Sequence, residues 1–207
     1  MTNTIKVTKI NYVFITLQYI AALMTILLVK TELGIAGEFV KNVLFYILIF
    51  IIPNIIIIRK VYRDKVISYL KLNFKFRALL TGMIIAAFMT LIFLISNHFK
   101  TNDITLNTSQ ILMLTGGMLA GVFEEIAFRG FYLNFFTSKF NFVIASIITA
   151  TLFSLLHIRQ IVDQGIIQFV MLFALSLFLN YAFEKTKSLW VPIIIHITFN
   201  TLIFLFR

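Results

Sequence analysis

The sequence contains no cysteine, only two prolines and few charged residues. Without cysteine, the chain can form neither a disulfide bond nor a thiolate metal site. Charged residues make up 13% of the 207 residues, against roughly 25% in soluble domains. Hydrophobic residues make up 60%, which is more than a water-soluble fold can cover but suits a lipid bilayer. The composition therefore predicts an integral membrane protein.

Acidic residues are scarcer than basic ones: 8 Asp and Glu stand against 18 Lys and Arg, a formal net charge of +10. The basic residues lie mostly between apolar runs, which is typical of anchors at an anionic membrane surface. No nucleic-acid partner is expected, because that would require a basic patch on a soluble face. The loop spanning residues 59–77 carries seven basic residues and one acidic residue. The positive-inside rule therefore predicts a multi-pass protein of the cell membrane with a cytoplasmic N-terminus. The Ile-, Phe- and Lys-rich composition favours a bacterial source.

Seven apolar runs follow one another along the chain, each near the ~20 residues that cross ~30 Å of hydrocarbon. Runs of this length without strict alternation are helices, since lipid leaves few other ways to satisfy the backbone. The fold class is therefore predicted to be all-α, a polytopic transmembrane helix bundle with about seven spans. We expect one integral membrane domain over 1–207, with N-terminal helices in 1–109 and a motif-bearing core in 110–207. The predicted runs are Ile10–Val29, Phe39–Ile58, Ala78–Ile95, Ile111–Phe136, Phe140–His157, Ile166–Phe183 and Leu189–Phe206.

Two of these runs are expected to be irregular. Pro53 lies inside the second run, where it should kink the helix. The fourth run is too long for one simple span, and Gly130 and Asn134 predict a break near its end. The remainder would then lie along the membrane interface.

The strongest chemical signal is the pair Glu124 and Glu125 inside the fourth run. A charged residue at membrane depth is costly and marks a functional site more often than a structural one. Arg129 follows Glu125 by one helical turn, a spacing that favours an ion pair. That pair would leave Glu124 available for chemistry. The structural alternative is one satisfied buried network that only holds helices together.

Polar residues recur in two later runs. His157 ends the fifth run, with Phe153 one turn before it on the same face. His196 and Asn200 lie one turn apart in the seventh run, so both point the same way. The alternative for the His196–Asn200 pair is an interhelical hydrogen-bond clamp.

Together these residues supply the parts of a hydrolytic site. Peptide hydrolysis needs an activated water and a donor for the developing oxyanion. Glu124 and His157 could activate the water, and His196 and Asn200 could bind the oxyanion. Glu124, His157 and His196 could also bind a divalent metal such as zinc, although HExxH is absent. Gly117 and Gly121, four residues apart, are expected to bring the Glu124 helix close to a neighbour.

Between about Leu114 and Leu202 the sequence resembles the CPBP intramembrane metalloproteases, also called CAAX-protease, bacteriocin-processing or Abi-type proteins. Their EExxxR motif appears as Glu124 to Arg129, FxxxH as Phe153 to His157, and HxxxN as His196 to Asn200, in the family's order. Ser176 and Asn180 stand where the family's packing usually contains glycine.

The resemblance implies a helical membrane fold and endopeptidase cleavage of a membrane-associated peptide or protein. It implies that Glu124 is the general base, that His157 helps to hold the water, and that His196 and Asn200 form the oxyanion site. Glu125, Arg129 and Phe153 are the supporting residues. A non-enzymatic self-immunity or partner-binding protein is the alternative, and a proton-linked transporter ranks last. In straight, upright helices Glu124 and His157 would not meet, so a tilt, a shortened fifth span or a broken fourth helix must bring them together.

Overall fold

The apolar runs become helices in the computed structural model, which describes residues 2–28, 33–62, 65–96 and 107–206. Within these ranges the chain forms α-helices and wider π-helical turns and no strand. The helices are α1 (Thr2–Leu28), α2 (Ile35–Phe45), α3 (Ile52–Ile57), α4 (Val66–Tyr69), α5 (Phe76–Ser96), α6 (Thr108–Glu125), α7 (Asn134–Thr137), α8 (Phe142–Leu156), α9 (Ile158–Gln164), α10 (Ile166–Thr186) and α11 (Trp190–Leu205). The π-helical turns are π1 (Tyr46–Ile51), π2 (Ile58–Tyr62) and π3 (Ile126–Leu133).

Each predicted apolar run is helical over most of its described residues, which confirms the all-α fold class; Val29, the end of the first run, lies outside the described residues. Four continuous stretches of the described chain are long and apolar enough to cross a membrane: Ile35–Lys60, Phe76–Ser96, Thr108–Thr137 and Ile166–Thr186. The bent pair α8–α9 would make a fifth. Tyr12–Leu28 and Trp190–Leu205 are shorter apolar helices. The chain is therefore a multi-pass membrane protein, while the count of about seven spans stays a prediction.

Pro53 changes the hydrogen bonding of its helix without ending it. A proline has no N–H, so it cannot bond the carbonyl of Ile49 four residues before it. The helix widens into π1 just ahead of Pro53, where the Ile52 N–H bonds the Ile47 carbonyl five residues back. The Ile49 carbonyl instead accepts from the Gln18 amide of α1 at 2.7 Å. The π-helical turn is the local irregularity that the proline introduces.

The predicted break in the fourth run is wrong. α6, π3 and α7 form one continuous helical stretch from Thr108 to Thr137. Gly130 serves close packing: a Cβ there would lie 2.9 Å from Leu70 Cδ2 and 3.3 Å from Leu189 Cδ2. Every residue of π3 after Ile126 is buried inside the protein, while the placement of the tail along the membrane interface stays a prediction. The extra length is absorbed because a π-helix fits more residues into each turn.

The helix α11 packs against α5 and α6, while α10 packs against α8. At Gly121 of α6 a Cβ would lie 3.4 Å from the Ile197 backbone nitrogen and 3.6 Å from Asn200 Nδ2. The predicted close approach is therefore confirmed, and the neighbour is the helix that carries His196. A small residue is needed here because a large side chain would push α11 away from the two glutamates.

A shortened fifth span brings His157 towards Glu124. The helix α8 has 15 residues, or roughly 22 Å at 1.5 Å per residue, which is less than the ~30 Å of the hydrocarbon core. His157 follows its last residue, and α9 then leaves at an angle of 70°. Of the three routes considered from the sequence, the short fifth span is present and the broken fourth helix is not, while helix tilt stays a prediction.

Candidate active site

The two glutamates end α6 and point to different partners. Glu124 is 3% exposed and Glu125 is fully buried. Glu124 accepts a hydrogen bond from the Tyr46 hydroxyl of π1 and faces both histidine rings. Glu125 accepts from Arg129. Adjacent residues on a helix diverge by about 100°, so Glu125 forms the ion pair with Arg129 and Glu124 lies between the Nε2 atoms of the two imidazoles.

The predicted ion pair is confirmed. Arg129 donates through one terminal nitrogen to Glu125 Oε1 at 2.9 Å, and both side chains are fully buried. The guanidinium carbon also lies 4.9 Å from the centre of the Phe153 ring. A buried charge is tolerated only when it is paired and hydrogen-bonded, and this arginine satisfies both conditions.

The polar residues of α10 complete the arginine's hydrogen bonds. Arg129 Nε donates to Asn180 Oδ1 at 3.0 Å. Its other terminal nitrogen donates to the Ser176 hydroxyl at 2.7 Å and to the Ser176 carbonyl at 3.1 Å. Asn180 in turn donates to the Ser146 hydroxyl and carbonyl of α8 at 3.0 and 3.1 Å. The departure from glycine noted in the sequence therefore supplies polar groups that tie the glutamate helix to α8 and α10.

Both imidazoles turn the same ring nitrogen towards Glu124. His157 Nδ1 lies 3.0 Å from the Phe153 carbonyl oxygen, and His196 Nδ1 lies 2.7 Å from Glu125 Oε1. A carbonyl and an ionised carboxylate only accept hydrogen bonds, so each Nδ1 carries a proton. Each Nε2 is left facing one oxygen of Glu124, at 3.8 Å from Oε1 for His157 and 3.7 Å from Oε2 for His196.

These separations exceed a direct hydrogen bond. They allow one water molecule to bond both a ring nitrogen and a carboxylate oxygen. The His157 side chain keeps 17% of its surface exposed, more than the other charged or imidazole groups of the site.

Glu124, His157 and His196 have the ligand types of a His₂Glu zinc set. Among the residues that the structure describes, however, no three histidine or acidic side chains are grouped closely enough to hold a metal ion.

Asn200 lies one turn beyond His196 on α11, as predicted, and donates to the Gly117 carbonyl of α6 at 2.9 Å. Because a side-chain amide has two N–H groups, this bond orients the amide and leaves the second N–H for another acceptor. The bond joins α6 and α11 one turn before the close approach at Gly121.

Tyr46 is the site residue that the sequence reasoning missed. It lies in the apolar stretch FYILIF of the second run, far from every recognised motif. The only signal was its position just ahead of Pro53, where a helix irregularity was expected. Its contact with Glu124 depends on how α2 packs against α6, which no local pattern reveals.

Comparison with known proteins gives matches to part of this chain. Residues 106–202 match the model of a family described as type II CAAX prenyl endopeptidase Rce1-like. The match covers 97 of the 207 residues, just under half of the chain. A curated relative from Bacillus subtilis (strain 168), named "Putative membrane peptidase YdiL", is 24% identical over 93 residues. That alignment covers 45% of this chain and 36% of the relative. No solved structure gives a significant match.

The Rce1-like region contains both glutamates, both histidines and Asn200. It begins just ahead of α6 and ends within α11. Tyr46 lies outside it, on the N-terminal side of the bundle. The matched region therefore includes the residues around Glu124 that the three sequence motifs supply.

Proposed function

We propose that this protein is an intramembrane endopeptidase that hydrolyses a peptide bond of a membrane-associated peptide or protein. The observation that carries the proposal is the position of Glu124, buried and faced by two imidazoles whose Nε2 atoms lie 3.7 and 3.8 Å from its two oxygens. A carboxylate with two such neighbours at membrane depth is costly unless it has a function. The Rce1-like match and the peptidase name of the relative support the same reaction class.

In the proposed reaction Glu124 and His157 hold the water. As the water oxygen forms a bond to the substrate carbonyl carbon, one of its O–H bonds breaks and the proton passes to the Glu124 carboxylate. The carbonyl oxygen becomes an oxyanion in a tetrahedral intermediate. When this intermediate collapses, the C–N bond breaks and the proton passes from Glu124 to the leaving amine. The products are a new carboxylate and a new N-terminus.

His196 and Asn200 are the proposed oxyanion donors. Asn200 offers the amide N–H that the Gly117 carbonyl does not use. His196 would donate through Nε2 in its protonated form, because its Nδ1–H already bonds Glu125. Arg129 holds Glu125, the acceptor of that Nδ1–H, in place. Fixed donors aimed at a developing oxyanion lower the barrier because they need no reorganisation during the reaction.

A divalent metal is the other way to activate the water. Glu124, His157 and His196 have the ligand types to hold one, and anchored Nδ1 atoms are typical of histidines that bind metals through Nε2. A bound metal would supply Lewis-acid activation of the water. At the present separations, a water lying beside each N···O pair could bond the ring nitrogen and the carboxylate oxygen together. We therefore propose the glutamate–water route.

The proposed substrates are proteins or peptides that present a cleavable bond at the membrane. Mass spectrometry of new N-termini tests this in membranes of cells that express the wild-type protein or Glu124→Gln. Glu184→Gln, a change at a partly exposed acid outside the site, is the matched control. We expect a set of N-termini near membrane segments in the wild type and the control and its loss in Glu124→Gln. Identical sets in all three would overturn the protease proposal and favour a non-enzymatic self-immunity or partner-binding role.

A further inference from the structure

Tyr46 makes the one described hydrogen bond to Glu124 that comes from the N-terminal half of the chain. Its hydroxyl donates to Glu124 Oε1, the same oxygen that His157 Nε2 faces at 3.8 Å. Tyr46 lies 60 residues before the start of the Rce1-like region at residue 106. The family match therefore assigns it no role.

The backbone around Tyr46 is π-helical and accepts a hydrogen bond from a side chain of another helix. Tyr46 is the first residue of π1, the turn that precedes Pro53. The Ile49 carbonyl accepts from Gln18 Nε2 at 2.7 Å, and Gln18 Oε1 accepts from the Tyr132 hydroxyl at 2.7 Å. Tyr132 belongs to π3, which continues the glutamate helix. The turn that carries Tyr46 is thus tied through α1 to the helix whose carboxylate it contacts.

Aromatic neighbours restrict the direction from which the hydroxyl approaches. The Tyr46 ring lies 5.9 Å from the Phe123 ring and 6.3 Å from the Phe50 ring. Phe123 directly precedes Glu124 on α6, and Phe50 is fully buried. An aromatic ring held in this way has few alternative rotamers, so its hydroxyl stays on one side of the carboxylate.

A carboxylate with one anchored oxygen cannot rotate freely about its last side-chain bond. With Oε1 held by Tyr46, the second oxygen remains turned towards His196 Nε2 at 3.7 Å. A water beside each imidazole would then keep a Glu124 oxygen as its second hydrogen-bond partner. Without the anchor the carboxylate could turn and lose its alignment with both rings, since torsions of this type are broad.

We infer that Tyr46 is a positioning residue for the base Glu124, so that the N-terminal half of the chain completes the active site. This inference rests on the proposed function of Glu124. It differs from a merely structural role because Tyr46 acts on the orientation of one carboxylate, and its loss should impair turnover more than stability or substrate binding.

The test compares the wild type with Tyr46→Phe in the full-length protein reconstituted in liposomes. Tyr19→Phe is the matched control, since it also removes a buried tyrosine hydroxyl bond, here to the Leu152 carbonyl at 2.6 Å. The probe is a quenched fluorogenic peptide with a farnesylated C-terminal CAAX sequence, assayed beside the same peptide attached to a membrane-spanning helix. Glu124→Gln reports whether cleavage depends on the proposed base.

For Tyr46→Phe we expect kcat to fall by about 10- to 100-fold, the effect of one hydrogen bond to a charged group. KM should change by less than about twofold, because the bond does not touch the substrate. Infrared difference spectra supply a readout independent of turnover. The carboxylate band that Glu124→Gln removes should shift in Tyr46→Phe and stay in place in Tyr19→Phe.

The outcomes separate the two ideas. Cleavage that persists in Glu124→Gln would defeat the proposed function itself. Cleavage that depends on Glu124 but keeps its full kcat in Tyr46→Phe would overturn the positioning role alone, as would an unshifted carboxylate band. A loss of activity in Tyr19→Phe equal to that in Tyr46→Phe would also overturn it, because a general loosening of the bundle would then explain both.

Discussion

Replacement of Arg129 by alanine should destabilise the protein strongly. The guanidinium makes four hydrogen bonds, to Glu125, Asn180 and two atoms of Ser176. Without it, the His196 ring is the remaining hydrogen-bond donor to a fully buried carboxylate. Removal of one partner from a buried ion pair typically costs about 3–5 kcal/mol because the other charge is left uncompensated. We therefore expect Arg129→Ala to lower the free energy of unfolding by about that amount.

The measurement is reversible unfolding of the purified protein in detergent, followed by tryptophan fluorescence and circular dichroism. Arg77→Ala, which removes an exposed arginine, should change the free energy of unfolding by less than about 0.5 kcal/mol. Glu125→Gln in the Arg129→Ala background removes the stranded charge. It should restore part of the stability, with a coupling of about 0.5–3 kcal/mol. An Arg129→Ala protein as stable as the wild type, or a coupling of zero, would refute the reasoning.

Three further outcomes follow from the fold and the site. Gly121→Ala should be tolerated, since its Cβ would meet ordinary contacts at 3.4–3.6 Å, whereas Gly121→Leu should separate α6 from α11 and abolish cleavage of the liposome probe. Because the chain has no cysteine, the single variants Lys65→Cys and Thr108→Cys can each be labelled in intact cells. A membrane-impermeant maleimide should label only Thr108→Cys. Labelling of both variants would contradict the predicted topology. Purified protein should still cleave after dialysis against EDTA, and complete loss that zinc restores would favour the metal route.

The candidate site residues on α6, on α11 and at the end of α8 were predictable because polar residues are rare inside apolar, membrane-spanning segments. An ionised or imidazole side chain inside an apolar run has few structural explanations. The EExxxR spacing also has a direct geometric meaning, since a four-residue step places Glu125 and Arg129 on one helix face. The spacing of Gly117 and Gly121 likewise predicted a close contact between helices, although the sequence does not show which helix is the partner.

The features that were missed depend on tertiary packing. Gly130 and Asn134 look like helix breakers, but burial of π3 keeps that backbone helical. In the sequence Tyr46 cannot be told from any other tyrosine of an apolar helix, because its contact with Glu124 forms only when α2 packs against α6. The role of Ser176 and Asn180 was visible only as a departure from glycine, because sequence spacing does not show that α10 faces Arg129. The depth of His157 likewise required the actual length of α8.

The most direct test of Glu124 as the catalytic base is the single-turnover cleavage rate of Glu124→Gln in liposomes, with substrate binding measured in parallel. Glutamine keeps the side-chain volume and can still accept from Tyr46, but it cannot take a proton from water. We expect substrate binding close to that of the wild type and a cleavage rate lower by about 10²- to 10⁴-fold. Cleavage by Glu124→Gln at the wild-type rate would contradict the assignment of Glu124 as the base.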